Sequence, residues 1–186
     1  MKKLLIILLL LNLSSLFASD LEKFIASARL QVGQTLTYNP EYVKLTFPMG
    51  DLDISKGVCT DIVVRAMRGV NIDLQERIYK HKKAHPKLYK NLYASNQLNT
   101  SIDHRRVKNI QAYLSARGYR SQDRFKPGDI VVWKVSGLDH IGICSDKING
   151  DGEPYIIHNI GAGAQEEDVL RDYKIVDHFR VFRDEL

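Results

Sequence analysis

The chain has 186 residues, 44% of them hydrophobic and 26% charged. That balance suits one soluble globular domain with a sizeable core, and the chain carries no internal repeat or low-complexity linker. Its formal charge of +5 counts Lys2 and Lys3; without them, 27 basic residues less two face 22 acidic ones, a net +3. So mild an excess gives no reason to expect a nucleic-acid partner.

The first residues form a unit of their own. Met1-Lys2-Lys3 is a short basic head, Leu4 to Leu11 is unbroken Leu and Ile, and Leu16-Phe17-Ala18 ends on a small residue before Ser19. This is the pattern of a cleavable secretory signal peptide over 1–18, which leaves 19–186 as a single domain. The apolar run is too short for a permanent bilayer span. The mature chain is therefore expected outside the cytoplasm, periplasmic or extracellular, with no stable membrane span.

From Asp20 to Val32 apolar residues recur at helical spacing: Leu21, Phe24, Ile25, Ala28 and Val32. Asp20 is placed to cap this helix and Gly33 to stop it. Residues 34–56 hold Pro40, Pro48 and Gly50 and read as an ordered loop, with a short strand around Tyr42 to Leu45. Gly57-Val58-Cys59-Thr60-Asp61 then turns into a helix that runs to Arg68 and ends at Gly69. Val58, Ile62, Val63 and Ala66 are its buried face. A cysteine at a helix N-terminus feels the positive end of the macrodipole, which favours the thiolate.

Leu74 to His85 reads as a polar helix stopped by Pro86. Its His81 and His85 are four apart, but lysines surround them and no acidic third ligand is near, so a solvated face is expected rather than a metal site. Asp103 opens a further helix, with Val107, Ile110, Tyr113 and Leu114 as its buried stripe. The composition then becomes strand-like. Ile130 to Val135, His140 to Cys144, Tyr155 to His158 and Val176 to Phe182 are strands, punctuated by turns at Lys126-Pro127-Gly128-Asp129, Ser136 to Asp139 and Asn149-Gly150. Helices first and an antiparallel meander afterwards define an α+β domain.

A hairpin centred near Gly150 puts residue 142 opposite 158 and residue 140 opposite 160. His140 and His158 then become diagonal neighbours about 7–8 Å apart. Thiolate catalysis needs such a set: a base for the thiol proton and a third group to fix the base's tautomer. Cys59, His140 and His158 are the candidates.

These stretches resemble the NlpC-type cell-wall cysteine peptidases. In that papain-like fold a Cys opens a helix, a His opens the second strand and a further polar residue lies on the third. Over a longer span the chain resembles the exported bacterial family called domain of unknown function 1287. The motifs are Gly57-Val58-Cys59-Thr60-Asp61, Ile102 to Val107, Pro127 to Val131, His140-Ile141-Gly142-Ile143 and His158-Asn159-Ile160-Gly161. The resemblance implies helices packed on a C-terminal antiparallel sheet and a Cys59-His140-His158 triad. It implies Tyr38, Thr60, Asp61 and Asn159 near the oxyanion or substrate, and no metal or cofactor. It further implies a cysteine hydrolase that cuts peptide amides of peptidoglycan stem peptides, or another amide or acyl substrate. Thr60-Asp61 stand where the peptidases usually have Ser-Gly, and the stretch from Leu74 to Ser101 is an insertion that could shape a cleft.

Three alternatives stay open. An exported protein with two cysteines could join Cys59 to Cys144, but Cys144 lies four residues past His140, roughly 13 Å along a strand at about 3.3 Å per residue. A bond to Cys144 and a contact with His140 therefore exclude each other. The same distance argues against zinc held by Cys59, His140, Cys144 and His158. The fold could also serve as a non-catalytic wall-binding module, or pass the acyl group to an amine as a transferase. Oligomeric state is not legible.

Overall fold

The computed structural model describes residues 18–183. The expected signal segment thus lies outside the described residues, apart from Ala18. Helix α1 (Asp20–Arg29) begins one residue earlier than its apolar pattern suggests. Ser19, not Asp20, is the cap. Its hydroxyl accepts from the Glu22 N–H at 3.1 Å and its own N–H donates to the Glu22 carboxylate at 2.8 Å. Two orphan helix N–H groups are satisfied in one exchange.

The loop that follows contains no strand at Tyr42–Leu45. Instead β1 (Thr37–Tyr38) and β2 (Lys56–Gly57) form a two-stranded parallel pair that sets Tyr38 opposite Gly57. Alternating side chains could not have revealed so short a pair. Helix α2 (Cys59–Arg68) is next, then α3 (Leu74–Ala84), a 3-10 turn at Pro86–Tyr89, a second at Asp103–Arg105, and α4 (Val107–Ala116). Pro86 opens the first of these turns, as its missing N–H permits. The buried Gln75 amide ties the loops around this region, bonding Gly50 N, Thr46 O and Thr100 O at 2.8–2.9 Å.

A five-stranded antiparallel sheet completes the chain: β3 (Ile130–Val135), β4 (Leu138–Ile148), β5 (Pro154–Asn159), β6 (Ala164–Glu167) and β7 (Lys174–Phe179), in spatial order β6-β5-β4-β3-β7. Ser136 and Gly137 both have positive φ (49° and 85°), the two-residue turn whose twist suits a tight hairpin. Ile143 pairs with Ile157 and Cys144 with Ile156, so 142 does face 158. The ladder slips between Cys144 and Ile148 before reaching the Asn149 turn. Strand β6 is absent from the sequence reading because Ala164-Gln165-Glu166-Glu167 carries no apolar alternation.

The helices cover one face of the sheet. Phe24, Ile62, Val63, Met67, Ile110 and Leu114 meet Ile130, Val132, Ile141, Ile143 and Ile157 in the main core. Each such side chain, fully buried, contributes roughly 1.5–3 kcal/mol. A smaller apolar layer of Val131, Trp133, Cys144, Ile156 and Leu170 covers the opposite face. The architecture is α+β, and it brings the N-terminus of α2 against β4 and β5.

Candidate active site

Cys59 is the first residue of α2 and 3% exposed. The segment before it is held from two sides. Asp61 accepts from the Val58 N–H at 2.7 Å, capping the helix, and Asn159 Nδ2 donates to Gly57 O at 3.1 Å. The register of β4 with β5 would place Asn159 opposite Ile141, but the ladder begins only at Ile143 and Ile157. Around the sulfur of Cys59 are the Ile141 and Thr60 N–H groups and the Tyr38 hydroxyl. The thiol thus sits against β4 at the residue after His140.

Three donors stabilise a thiolate, yet burial outweighs them and pushes the Cys59 thiol up to about 11. Burial, then the nearby His158 ring, pulls His140 down to about 3. The macrodipole therefore does not leave a standing thiolate. Both groups rest neutral. Tyr38 is also raised, to about 12, by its own burial and then by the neighbouring sulfur. It stays a phenol, so its O–H remains a donor.

The two histidines are joined directly. His140 Nε2 lies 2.8 Å from His158 Nδ1, and His158 Nε2 lies 2.9 Å from Glu167 Oε2. A carboxylate accepts only, so the His158 proton is on Nε2. His158 Nδ1 must then accept from His140 Nε2–H, which leaves the lone pair of His140 on Nδ1. One acid at the end of the row sets the tautomer of both rings. Glu167 is reached because β6 alternates: Glu166 turns to the helix face and bonds Arg29 Nη2 at 2.9 Å, which sends Glu167 to the histidine face. Opposite His158, Gly142 leaves no room for a side chain. A Cβ there would lie 2.8 Å from Ile156 Cγ2 and 3.1 Å from His158 Cβ.

A cleft of about 310 Å³ opens beside the sulfur, lined by Cys59, Tyr38, Tyr93, Arg105, Arg106 and Asp139 among others. His140 and His158, 5% and 1% exposed, are not among the lining residues; the His140 ring lies 5.9 Å from Trp133, on the sheet face that Cys144 shares. Tyr93 comes from the insertion between Leu74 and Ser101, which thus supplies a wall of the cleft. Thr60, Asp61 and Asn159, expected near substrate, face the interior instead. Thr60 is fully buried and its hydroxyl has no hydrogen-bond partner among the described residues. Asp61 is bound by Arg105 at 3.0–3.3 Å, and Arg105 also holds Asn39 O and Glu41 O, fixing the loop just after Tyr38. Asn159 Oδ1 accepts from Gly161 N at 3.2 Å. These three side chains build the site from behind.

Both cysteines are free. Cys144 belongs to the smaller apolar layer on the far face of the sheet. Among the described residues no group of three or more His, Cys, Asp or Glu is placed to hold a metal ion. His81 and His85 stack on each other at 4.6 Å, with the Tyr89 hydroxyl 2.8 Å from His81 Nδ1.

An α+β domain with a helix-terminal cysteine and a His-His-Glu row is the class that fold and geometry define. The family model described as domain of unknown function (DUF1287) matches residues 25–181, and the chain belongs to that family. It is 42% identical over 161 residues to an uncharacterized protein of Escherichia coli strain K12 called YijF, covering 83% of this chain and 78% of the relative. No helix among the described residues is long and apolar enough to cross a membrane.

Proposed function

We propose that the chain is an exported cysteine hydrolase that cuts peptide amides of the cell wall. The observation that carries this reading is the directed row Glu167–His158–His140, which ends in a strand whose next residue, Ile141, meets a cysteine that opens onto a cleft. The basic leader head and apolar run support export, and the NlpC-like motifs support a wall substrate.

In this reading the Cys59 proton passes to His140 Nδ1 and the sulfur attacks the amide carbonyl. The oxyanion is met by the Cys59 N–H at the start of α2 and by the Tyr38 hydroxyl. His140 returns the proton to the leaving amine. Water, deprotonated by the same ring, then releases the acyl group from the sulfur. His158 and Glu167 hold the ring and spread the charge it gains.

The test is digestion of purified peptidoglycan with wild-type and Cys59→Ala protein, with products identified by mass. Hydrolysis releases paired new amine and carboxyl ends from wild type alone. Acyl groups joined to an added amine would make it a transferase, and retention of fragments without cleavage a binding module. Cleavage by Cys59→Ala at the wild-type rate would overturn the mechanism.

A further inference from the structure

The charges around the cleft do not cancel. Arg105 is neutralised by the buried Asp61. Asp139 is held by Lys134 at 2.6 Å and Lys108 at 3.8 Å. Arg106 lines the same cleft as Cys59, and its guanidinium makes no hydrogen bond or ion pair with any described residue. It stacks on the Tyr93 ring at 4.5 Å. That ring is itself anchored, because the Tyr93 hydroxyl accepts from Lys108 N at 3.2 Å. Stacking fixes the plane of the guanidinium and leaves its N–H edge for a forked acceptor.

A second feature points the same way. Arg106 is the N-cap of α4, a ten-residue helix with no side-chain cap and no acidic residue in its first turn. Helix N-termini more often carry an acid there, because the dipole is positive at that end. Here a cation occupies the position, and Val107 beside it also lines the cleft. A partly buried cation at the positive end of a helix is unfavourable unless an anion arrives from outside the chain.

We infer that Arg106 binds a carboxylate on the substrate next to the bond that Cys59 attacks, so that the substrate class is an acidic peptide or acyl amide. The inference rests on the cleft being the substrate site of the proposed hydrolase. An amidated substrate would leave the guanidinium unpaired and bind less well.

The test uses Cys59→Ala protein, which keeps the cleft without turnover. It is titrated calorimetrically with the stem peptide L-Ala-γ-D-Glu-L-Lys-D-Ala and with its fully amidated counterpart. The acid form binds about tenfold or more tightly, the range of a charge-assisted forked bond. Adding Arg106→Gln removes that preference. Arg106→Lys, which keeps the charge and drops the fork, falls between. Equal affinities for acid and amide, a preference that survives Arg106→Gln, or no saturable binding of either peptide overturns the inference. Wild-type turnover of the two peptides is scored separately. Cleavage without discrimination keeps the hydrolase and removes the role of Arg106, and discrimination without cleavage does the reverse.

Discussion

Replacing Glu167 with Gln tests the row of rings directly. The carboxylate can only accept, so it forces the proton onto His158 Nε2 and the free lone pair onto His140 Nδ1. A Gln amide can accept or donate, and when it donates the whole row reverses and His140 Nδ1 carries a proton it must instead receive. A charge-assisted hydrogen bond inside a protein is worth about 1.5–3 kcal/mol. The Glu167 side chain is 44% exposed, so water competes and about 1–1.5 kcal/mol should remain. That predicts a five- to tenfold loss of cleavage rate, since about 1.4 kcal/mol is a factor of ten. His158→Ala removes both links and should cost more, about a hundredfold. The assay is single-turnover cleavage, paired with the pH profile of Cys59 alkylation by iodoacetamide, which needs no substrate. Both should fall in Glu167→Gln, with the alkylation limb displaced to higher pH as His140 becomes a poorer proton acceptor. Unchanged cleavage and an unchanged profile would refute the directed relay, whatever the enzyme cuts.

Other expectations follow from the same geometry. Gly142→Ala brings a methyl within 2.8 Å of Ile156 and 3.1 Å of His158, so activity should drop much further than stability; equal losses in a melting curve and a rate assay would contradict this. Arg105→Ala strands Asp61 in the interior and should cost about 3–5 kcal/mol, a Tm decrease of about 10 °C by calorimetry; a change under about 3 °C would show the pair is not needed. Acid should weaken the fold early. Burial lowers His140 to about 3 and His104 to about 4, both from 6.5, so below pH 6.5 the unfolded chain binds more protons than the folded one. Stability present above that pH is then lost as pH falls toward those values, by up to about 1.4 kcal/mol per pH unit for each ring, and urea midpoints at pH 7 and pH 5 should differ accordingly. Intact mass after alkylation of unfolded, unreduced protein should show two added groups, and Cys144→Ala, remote from the cleft, should keep full turnover.

Much of the architecture was legible because it is carried by local pattern. The stripe Val107, Ile110, Tyr113, Leu114 is buried as its spacing requires, and strand β3 begins and ends where its apolar run does. The facing of 142 and 158 could be counted from a single Asn-Gly turn, although the slip after Cys144 shows that counting to be less secure than it looked. What could not be read depends on residues far apart in the chain. Glu167 lies in a polar stretch with no strand signal, and only pairing with β5 brings it to His158. Asp61 looked like a polar group at the mouth of a helix. Its partner Arg105 stands 44 positions away, so its burial was invisible. Tyr38 sits beside the sulfur because a two-residue strand pairs with Gly57, a signal too short for any periodicity. The charge state of the thiol was misjudged for a related reason: the helix dipole is a sequence-level feature, whereas desolvation depends on everything packed around the site.

That desolvation has a chemical consequence. Peroxides and foreign disulfides attack sulfur as its anion, and a thiol held protonated at rest offers them little to react with. For the hydrolase proposed above, exported to where no glutathione pool restores damaged cysteines, a nucleophile dormant at rest would outlast one that is permanently armed.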